Sequence, residues 1–408
     1  MIIADLHIHG KYSRATSSQL DLKNLEKWAK VKGVNLLGTG DFTHPLWLQL
    51  LKKELREEEG ILKSESEFNF VLQSEISLIY TQDNKVRRIH NIILAPSFEV
   101  VDQIVSVLSK KGRLDYDGRP IFGFSCIELV EMMRGISEDI EIIPAHIWTP
   151  WFSLFGSNSG FDSIKEAFQE KTKYIHCLET GLSSDPAMNR RLKQLDNYNL
   201  VSFSDLHSFW PWRIGREVTL FDLKKLSYKN LIRALRSRDG LKGTIEVDPN
   251  YGKYHYDGHR FCGISLSPQE SLERNNICPK CGKKLTIGVL HRVEELSDRE
   301  EGFKPKNAVD FKRMIPLSEL ISKVLNSGIS TKKVWEIYDK LINEFRNEFN
   351  ILLNANEDDL KKIVDEKLID VIIKNRKGEL RIIPGFDGEY GVLVLDKETS
   401  KQKKLGDF

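Results

Sequence analysis

The residues best suited to chemistry open the chain. Asp5-Leu6-His7-Ile8-His9-Gly10 follows the apolar start Met1-Ile2-Ile3-Ala4. The run reads as a buried strand, on which side chains alternate faces, so Asp5, His7 and His9 point the same way. Histidine binds metals as the neutral ring, and two rings on one face at a strand end form a directional pair of ligands. A pair of satisfied core histidines is the competing reading. It loses weight because the chain repeats the arrangement: Ser204-Asp205-Leu206-His207 ends another apolar run with the same spacing. Asp41, Glu75, His90 and His146 lie on or at the ends of further strand-like runs. Together these residues point to a multinuclear metal site. Carboxylates such as Glu75 or Asp205 can bridge two cations. Cations held close together clamp the attacking and leaving oxygens of a phosphoryl transfer and acidify a water. Mixed nitrogen and oxygen ligation suits Zn, Mn or Fe better than Ca or Mg alone.

A second set is spaced for a structural zinc. His259-x2-Cys262 and Cys278-Pro279-Lys280-Cys281 are tight knuckles, each followed by glycine. Their separation matches closed, tetrahedral zinc sites. His255 or His291 could stand in for His259. Cys126 and Cys177 lie in apolar surroundings and read as packing residues.

These residues need elements to position them. Strand-like runs cover Asn35–Asp41, Phe68–Ile79, Arg88–Ala95, Glu141–Ile147, Tyr174–Glu179 and Leu200–His207. Helical patterns separate many of them, among them Asp21–Lys32, Leu46–Glu59, Phe98–Lys110, Ser125–Arg134, Phe161–Lys171 and Pro186–Tyr198. Alternating strands and helices with no dinucleotide fingerprint predict a parallel sheet closed into a barrel, with chemistry at the C-terminal rim of the strands. The polar, Gly/Tyr-rich stretch 252–260 marks a boundary. The expected division is a barrel over 1–250, a zinc ribbon over 251–300 and a helical region with a short β or loop tail over 301–408. Helices are expected at Leu317–Asn326, Ser330–Asn354 and Asn356–Asn375.

Four of the seven tryptophans sit in two loops just beyond His146 and His207: Trp148, Trp151, Trp210 and Trp212. They could stack nucleic-acid bases or wall a pocket for an extruded one, or simply plug the barrel. Gly156–Gly160 is a candidate mobile lid. Arg190 and Arg191 head local basic clusters that could meet phosphates, although a solvated helix face is the commoner role.

Composition bounds the rest. The 408 residues suffice for two or three domains, and 40% apolar with 29% charged is ordinary for a globular protein. A net charge of +2 creates no global basic field, so any nucleic-acid surface must be a local patch. No apolar run would span a bilayer and the N-terminus has no signal-peptide pattern, so a cytoplasmic protein without a membrane partner is expected.

The motif set Asp5-Leu6-His7-Ile8-His9, Asp41, Glu75, His90, His146 and Ser204-Asp205-Leu206-His207 resembles the PHP (polymerase and histidinol phosphatase) family. That resemblance implies a distorted (β/α)7 barrel with a trinuclear metal centre that hydrolyses phosphate esters. It implies His7, His9, Asp41, Glu75, His90, His146, Asp205 and His207 as ligands, with Asp205 and Glu75 central to catalysis. Two places depart from the family pattern: Lys11–Arg14 supply no further His or Asp, and a usual Thr-Asp-His triplet is here Thr39-Gly40-Asp41, with His44 displaced. Glu179 is a reserve carboxylate. The wider combination of Thr39–Pro45, Pro144–Trp151, Lys253–His259, Cys278–Leu296 and Pro384–Gly391 is similar to the endonuclease Q family. This narrower resemblance implies a DNA repair endonuclease that cuts 5′ of deaminated bases (hypoxanthine, uracil, xanthine) or abasic sites. It further implies Zn²⁺ in the ribbon and at the catalytic site, Mg²⁺ or Mn²⁺ for activity, damaged double- or single-stranded DNA as partner, and a replication clamp as a further candidate. Two rivals remain: a PHP phosphoesterase acting on a small phosphomonoester, and a non-catalytic DNA-binding protein on an inherited barrel.

Overall fold

The opening run folds as the strand Ile2–Asp5, central to the main sheet of a computed structural model that describes residues 1–395. Across that sheet the strands run Asp310–Arg313, Leu241–Glu246, Val218–Phe221, Ile2–Asp5, Leu36–Gly38 and Asn69–Gln82, with Lys85–Ala95 and then Glu141–Pro144 beyond. A parallel pair, Cys177–Glu179 with Asn199–Val201, follows next to Glu141–Pro144, joined by Ile147 N–H donating to the Glu179 carbonyl. The ring closes where Ile8 bridges Leu206. Successive strands each give a side chain to one buried cluster, including Ala4, Leu36, Val71, Ile92, Ile143 and Val201. The chain is thus a mixed α/β barrel followed by a zinc ribbon and a helical region.

The sheet is mixed rather than parallel. Asn69–Gln82 and Lys85–Ala95 form a long antiparallel hairpin, and Ile2–Asp5 runs antiparallel to Val218–Phe221. The hairpin turns at Asp83-Asn84, where both residues have positive φ (52° and 59°). This is the turn whose twist matches antiparallel strands, and Asp and Asn tolerate it well. Several expected helices are broken by local backbone geometry. Phe161–Lys171 is the short helix Ile164–Phe168, ended by Gln169 at φ 46°. Pro186–Tyr198 divides into Pro186–Asn189 and a 3-10 turn at Lys193–Leu195, with Leu192 extended between them. Ser330–Asn354 divides at Arg346 (φ 73°) into Lys332–Phe345 and Glu348–Leu353. Asn356–Asn375 divides into Glu357–Leu360 and Glu366–Lys377, the latter opened by Asp365 and closed by Gly378. Arg381–Ile383 and Val392–Val394 make the expected small β element, whose remainder to 408 lies outside the described residues.

The ribbon is built from the hairpin Asp257–His259/Ile264–Leu266 and the knuckle Cys278–Cys281. Residues 384–391 strap it to the barrel. Gly385 N–H donates to Asn250 O, Gly391 N–H to Tyr251 O and Tyr256 N–H to Gly385 O. Asp387 accepts from Arg260 N–H (2.7 Å) and the Thr286 hydroxyl (2.7 Å). A Cβ at Gly385 would lie 2.2 Å from Gly252 O, so only glycine permits this approach. Gly156–Gly160, expected as a lid, is fastened: Asn158 N–H donates to Pro150 O, Arg87 to Gly160 O, and Arg292 to the Phe155 and Phe161 carbonyls on either side.

The helical region is locked on by a buried ion pair. Glu348 accepts from Lys32 (2.6 Å), Tyr338 (2.8 Å) and Leu317 N–H (3.0 Å), and Lys32 also donates to Pro211 O. Among the described residues, no helix is long and apolar enough to cross a membrane.

Candidate metal centre and nucleic-acid interface

The ligand-type side chains come from loops beyond the strand ends (His7, His9, His146, Asp205) and from within the long hairpin (Glu75, His90). His7, His9, Glu75 and Asp205 form one group whose ligand atoms all lie within 4.8 Å of one another, and Glu75, His90 and His146 form a second. Glu75 belongs to both. Its placement follows from register: Glu75 pairs with Ile92 and Ser77 with His90, so Glu75 and His90 are diagonal neighbours on one sheet face. His90 Nδ1 is 2.7 Å from Glu75 Oε1, and His146 Nε2 is 3.3 Å from the same oxygen. Asp205 Oδ1 lies 3.1 Å from His9 Nε2 and 3.7 Å from His7 Nε2.

Asp41 and His207 sit beside the first group without joining it. Asp41 touches the far nitrogen of His9 (3.0 Å to Nδ1) while accepting from Gly10 N–H (2.6 Å) and the Ser13 hydroxyl (2.8 Å). His207 packs its ring 4.7 Å from that of His9 and turns Nδ1 to the Asp205 carbonyl. Glu179 sits behind His7, with both oxygens 3.0 Å from Nδ1, and accepts the His146 N–H at 2.7 Å. Carboxylates so placed fix the tautomer and orientation of the ring they touch. Asp5 accepts from Ser204 N–H and Gly215 N–H, joining the first strand to the Asp205 loop. His44 stacks on Tyr12, away from both groups.

Asp41, His146 and Asp205 all have positive φ (44°, 30° and 46°). Non-glycine residues carry such strain mainly where surrounding structure over-determines them, often at functional sites. Nothing in residue type announces it. Arg119 is the other feature that sequence reasoning missed. It donates to Glu75 Oε2 at 3.0 Å and stays partly exposed. It lies in a loop after no strand, so periodicity carries no signal for it. Gly118 beside it leaves room for the Asp41–Ser13 pair, since a Cβ there would come within 2.4 Å of both Asp41 Oδ2 and Ser13 Oγ and displace them.

Electrostatics favour a cation here. Burial opposes charge on His7, yet Glu179, Glu75 and Asp205 outweigh it and raise the ring well above its ordinary value. Burial pushes Glu75 up, but His90, Arg119 and His7 hold it well below the carboxylate range. The acidic groups therefore demand positive charge, which protons on the rings or metal ions could supply. His7 Nε2 is fully buried with no hydrogen-bond partner, while facing Glu75 Oε2 at 3.5 Å and Asp205 Oδ1 at 3.7 Å. An orphaned nitrogen among carboxylate oxygens fits metal ligation.

In the ribbon, His259, Cys262, Cys278 and Cys281 converge within 4.8 Å, with Cys281 Sγ 3.4 Å from His259 Nδ1. Against burial, the Lys280 and Cys281 N–H groups bring the Cys278 thiol down to about 6, toward the thiolate that zinc binds. His291 is committed to Asp257 (2.6 Å) and His255 is buried, so His259 is the ring in this cluster. Cys126 and Cys177 are fully buried, as packing residues should be.

The tryptophans divide. Trp148 is interior, its indole N–H on Asn189. Trp151 is 38% exposed and meets Tyr254 edge-on. Trp210 and Trp212 stack in parallel at 5.4 Å and join Trp28 and Trp335, with Trp210 37% exposed. Arg190 donates to Val309 O and lies over Phe311, a packing role. Beyond Trp212 opens a cleft of about 600 Å³ lined by Trp212, Arg213, Tyr251, Glu319, Lys323 and Tyr390. Burial would raise the Tyr390 phenol, but Arg213, Arg216 and Lys253 bring it below its ordinary value, so this wall is electropositive. Arg216 also donates to the carbonyl of Ser204, next to Asp205, so the cations around Tyr390 reach the loop that carries Asp205.

The chain is 30% identical to the uncharacterized protein YqxK of Bacillus subtilis over 96% of its own length and 98% of the relative's. It is superposable on the lesion-specific endonuclease PfuEndoQ of Pyrococcus furiosus, with a TM-score of 0.87, 30% identity and 99% of that chain covered. The chain belongs to the endonuclease Q family. An endonuclease Q structure in complex with a 27-mer duplex bearing an abasic lesion at its active site matches with a TM-score of 0.88 and 30% identity, over 99% of both chains. Residues 316–379 match the model of the MJ0043 C-terminal domain. The uncharacterized protein MJ0043 of Methanocaldococcus jannaschii is 35% identical over 60% of this chain, which spans only 31% of that longer relative.

Proposed function

We propose that this chain is a metal-dependent DNA repair endonuclease that hydrolyses the phosphodiester 5′ of a deaminated base or an abasic site. The observation that carries the reading is the joint donor set, with Glu75 shared by two ligand groups in a chain similar end to end to an endonuclease solved on lesion DNA. His7, His9, Glu75 and Asp205 would hold one cation and Glu75, His90 and His146 a second. Bound divalent cations supply charge neutralisation at the scissile phosphate and an acidified water. The chain's own groups do the rest. Glu179 and Asp41 orient His7 and His9. Arg119 steadies Glu75 and offers its free N–H groups to a phosphate oxygen. The cleft beyond Trp212 receives the extruded nucleotide, with the indole as a stacking wall. The ribbon zinc is structural, and 1–250, 251–300 and 301–408 act as catalytic, ribbon and helical units. A replication clamp is a further proposed partner.

The test is a labelled duplex carrying one deoxyinosine, deoxyuridine or abasic site, incubated with Mg²⁺, Mn²⁺ or EDTA beside an undamaged control. A metal-dependent nick immediately 5′ of the lesion is expected. Equal cutting of the control, or phosphate release from a small monoester without DNA cleavage, would overturn it.

A further inference from the structure

Phe261 has its side chain in solvent. It is 83% exposed, more than any other large hydrophobic residue described. It sits in the 3-10 turn Arg260–Cys262, between the cluster residues His259 and Cys262, so its position is fixed by the residues that converge there. Arg260 lies over its ring at 5.0 Å. The facing knuckle exposes Lys280, Lys283 and Lys284. Over 259–288 the cations Arg260, Arg274, Lys280, Lys283 and Lys284 outnumber Glu270 and Glu273 by five to two, and stay in excess with Asp387 of the strap counted beside the turn. The turn is also tied to the barrel, since Arg260 N–H bonds Asp387 and the Arg260 guanidinium borders Gly388, two residues before the cleft-lining Tyr390.

A solvated aromatic ring costs free energy unless something covers it. The cationic surroundings select a polyanion as the cover. Rigid apolar side chains flanked by cations enter base steps and unstack them. We infer that Phe261 is a wedge that the ribbon presses into the base stack of duplex DNA beside the lesion. The inference rests on the endonuclease reading above. Phe261 is a positioning residue: it lowers the barrier to extruding the lesion nucleotide toward the cleft and touches no reacting atom.

Nicking by the parent and by F261A is compared on two substrates, a fully paired lesion duplex and the same lesion inside a mismatched bubble that is already unstacked. F261A should cut the paired duplex about tenfold more slowly, match the parent within about twofold on the bubble, and be restored by F261W. Unchanged cutting of the paired duplex overturns the wedge, as does an equal loss on both substrates. If the parent cuts neither, the endonuclease reading falls first and the wedge with it. A second readout needs no variant. With 2-aminopurine beside the lesion, binding of the parent should brighten the probe at one flanking position. No brightening on either side of the lesion overturns the wedge, and a Phe261 that instead serves a protein partner or second copy predicts that outcome.

Discussion

Both Glu179 oxygens rest on the outer nitrogen of His7, and one also takes the His146 N–H. Glu179 is therefore placed to orient ligands in both groups. Glu179→Gln should lower nicking by about 10–100-fold, the usual cost of a lost outer-shell partner. Raised Mn²⁺ should recover part of the loss, read as a shifted metal titration. Glu75→Gln should be worse and resist added metal, because Glu75 belongs to both groups. A different carboxylate carries a pH signature. Burial pushes Glu217 up from 4.5 to about 8, against the Ser202 hydroxyl, Arg216 and Val247 N–H. A folded value above the unfolded one means stability fully present below about pH 4.5 and lost as pH rises through about 8. The thermal midpoint should fall across that window. Glu217→Gln, an uncharged isostere, should lessen the fall, measured by melting at pH 5, 7 and 9; the rest belongs to Glu246, which burial and the nearby Glu217 also push up. A melting curve for the parent that does not change over this range would refute the assignment.

At the scale of elements, the ligand residues are readable from sequence by type and spacing, but not by the strand alternation that suggested them. The strands end at Asp5 and Val201, so His7, His9, Asp205 and His207 lie beyond them, with Asp205 at φ 46°. The zinc knuckles are readable because their spacing is itself the geometry of a tetrahedral site. What escapes is what tertiary packing decides. Asp41 reads as one more ligand at a strand end, yet the Gly10 N–H and Ser13 hydroxyl turn it to the outer nitrogen of His9. The antiparallel hairpin escapes because Phe70–Leu78 is buried on both faces, so the strand lacks the in-and-out alternation that would tell an antiparallel sheet from a parallel one. Helix breaks at Gln169 and Arg346 involve no Gly or Pro that would mark them. The ribbon supports a further prediction. Cys281→Ser removes one donor from the four-residue cluster, and a small zinc site without its metal loses its fold. About one zinc per chain should be lost, with protease cleavage between 252 and 300 while the barrel persists. Retained zinc with normal protease resistance would show that the cluster is not structural.

Over the whole molecule, charge is distributed rather than concentrated. A net charge of +2 cannot draw DNA by a global field, so affinity must come from few phosphate contacts at local patches. Strap residues 384–391 and the Arg292 contacts tie the ribbon to the barrel rim, so on the proposed function cations of both would meet one duplex. The helical region is held differently, through Glu348 and Lys32, and removing one partner leaves the other charged and buried. Glu348→Ala should therefore cost about 3–5 kcal/mol in denaturant unfolding, with the ribbon zinc retained. Each phosphate-bound cation contributes a slope of about −0.9 in log affinity against log salt on B-DNA. Replacing Lys280, Lys283 and Lys284 together by alanine should thus reduce the slope for lesion duplex by about 2–3. It should weaken damaged and undamaged duplex alike, because phosphate contacts position the protein without reading the lesion. Fluorescence anisotropy between low and physiological salt measures both quantities. An unchanged slope would move the duplex off the ribbon and onto the barrel face alone.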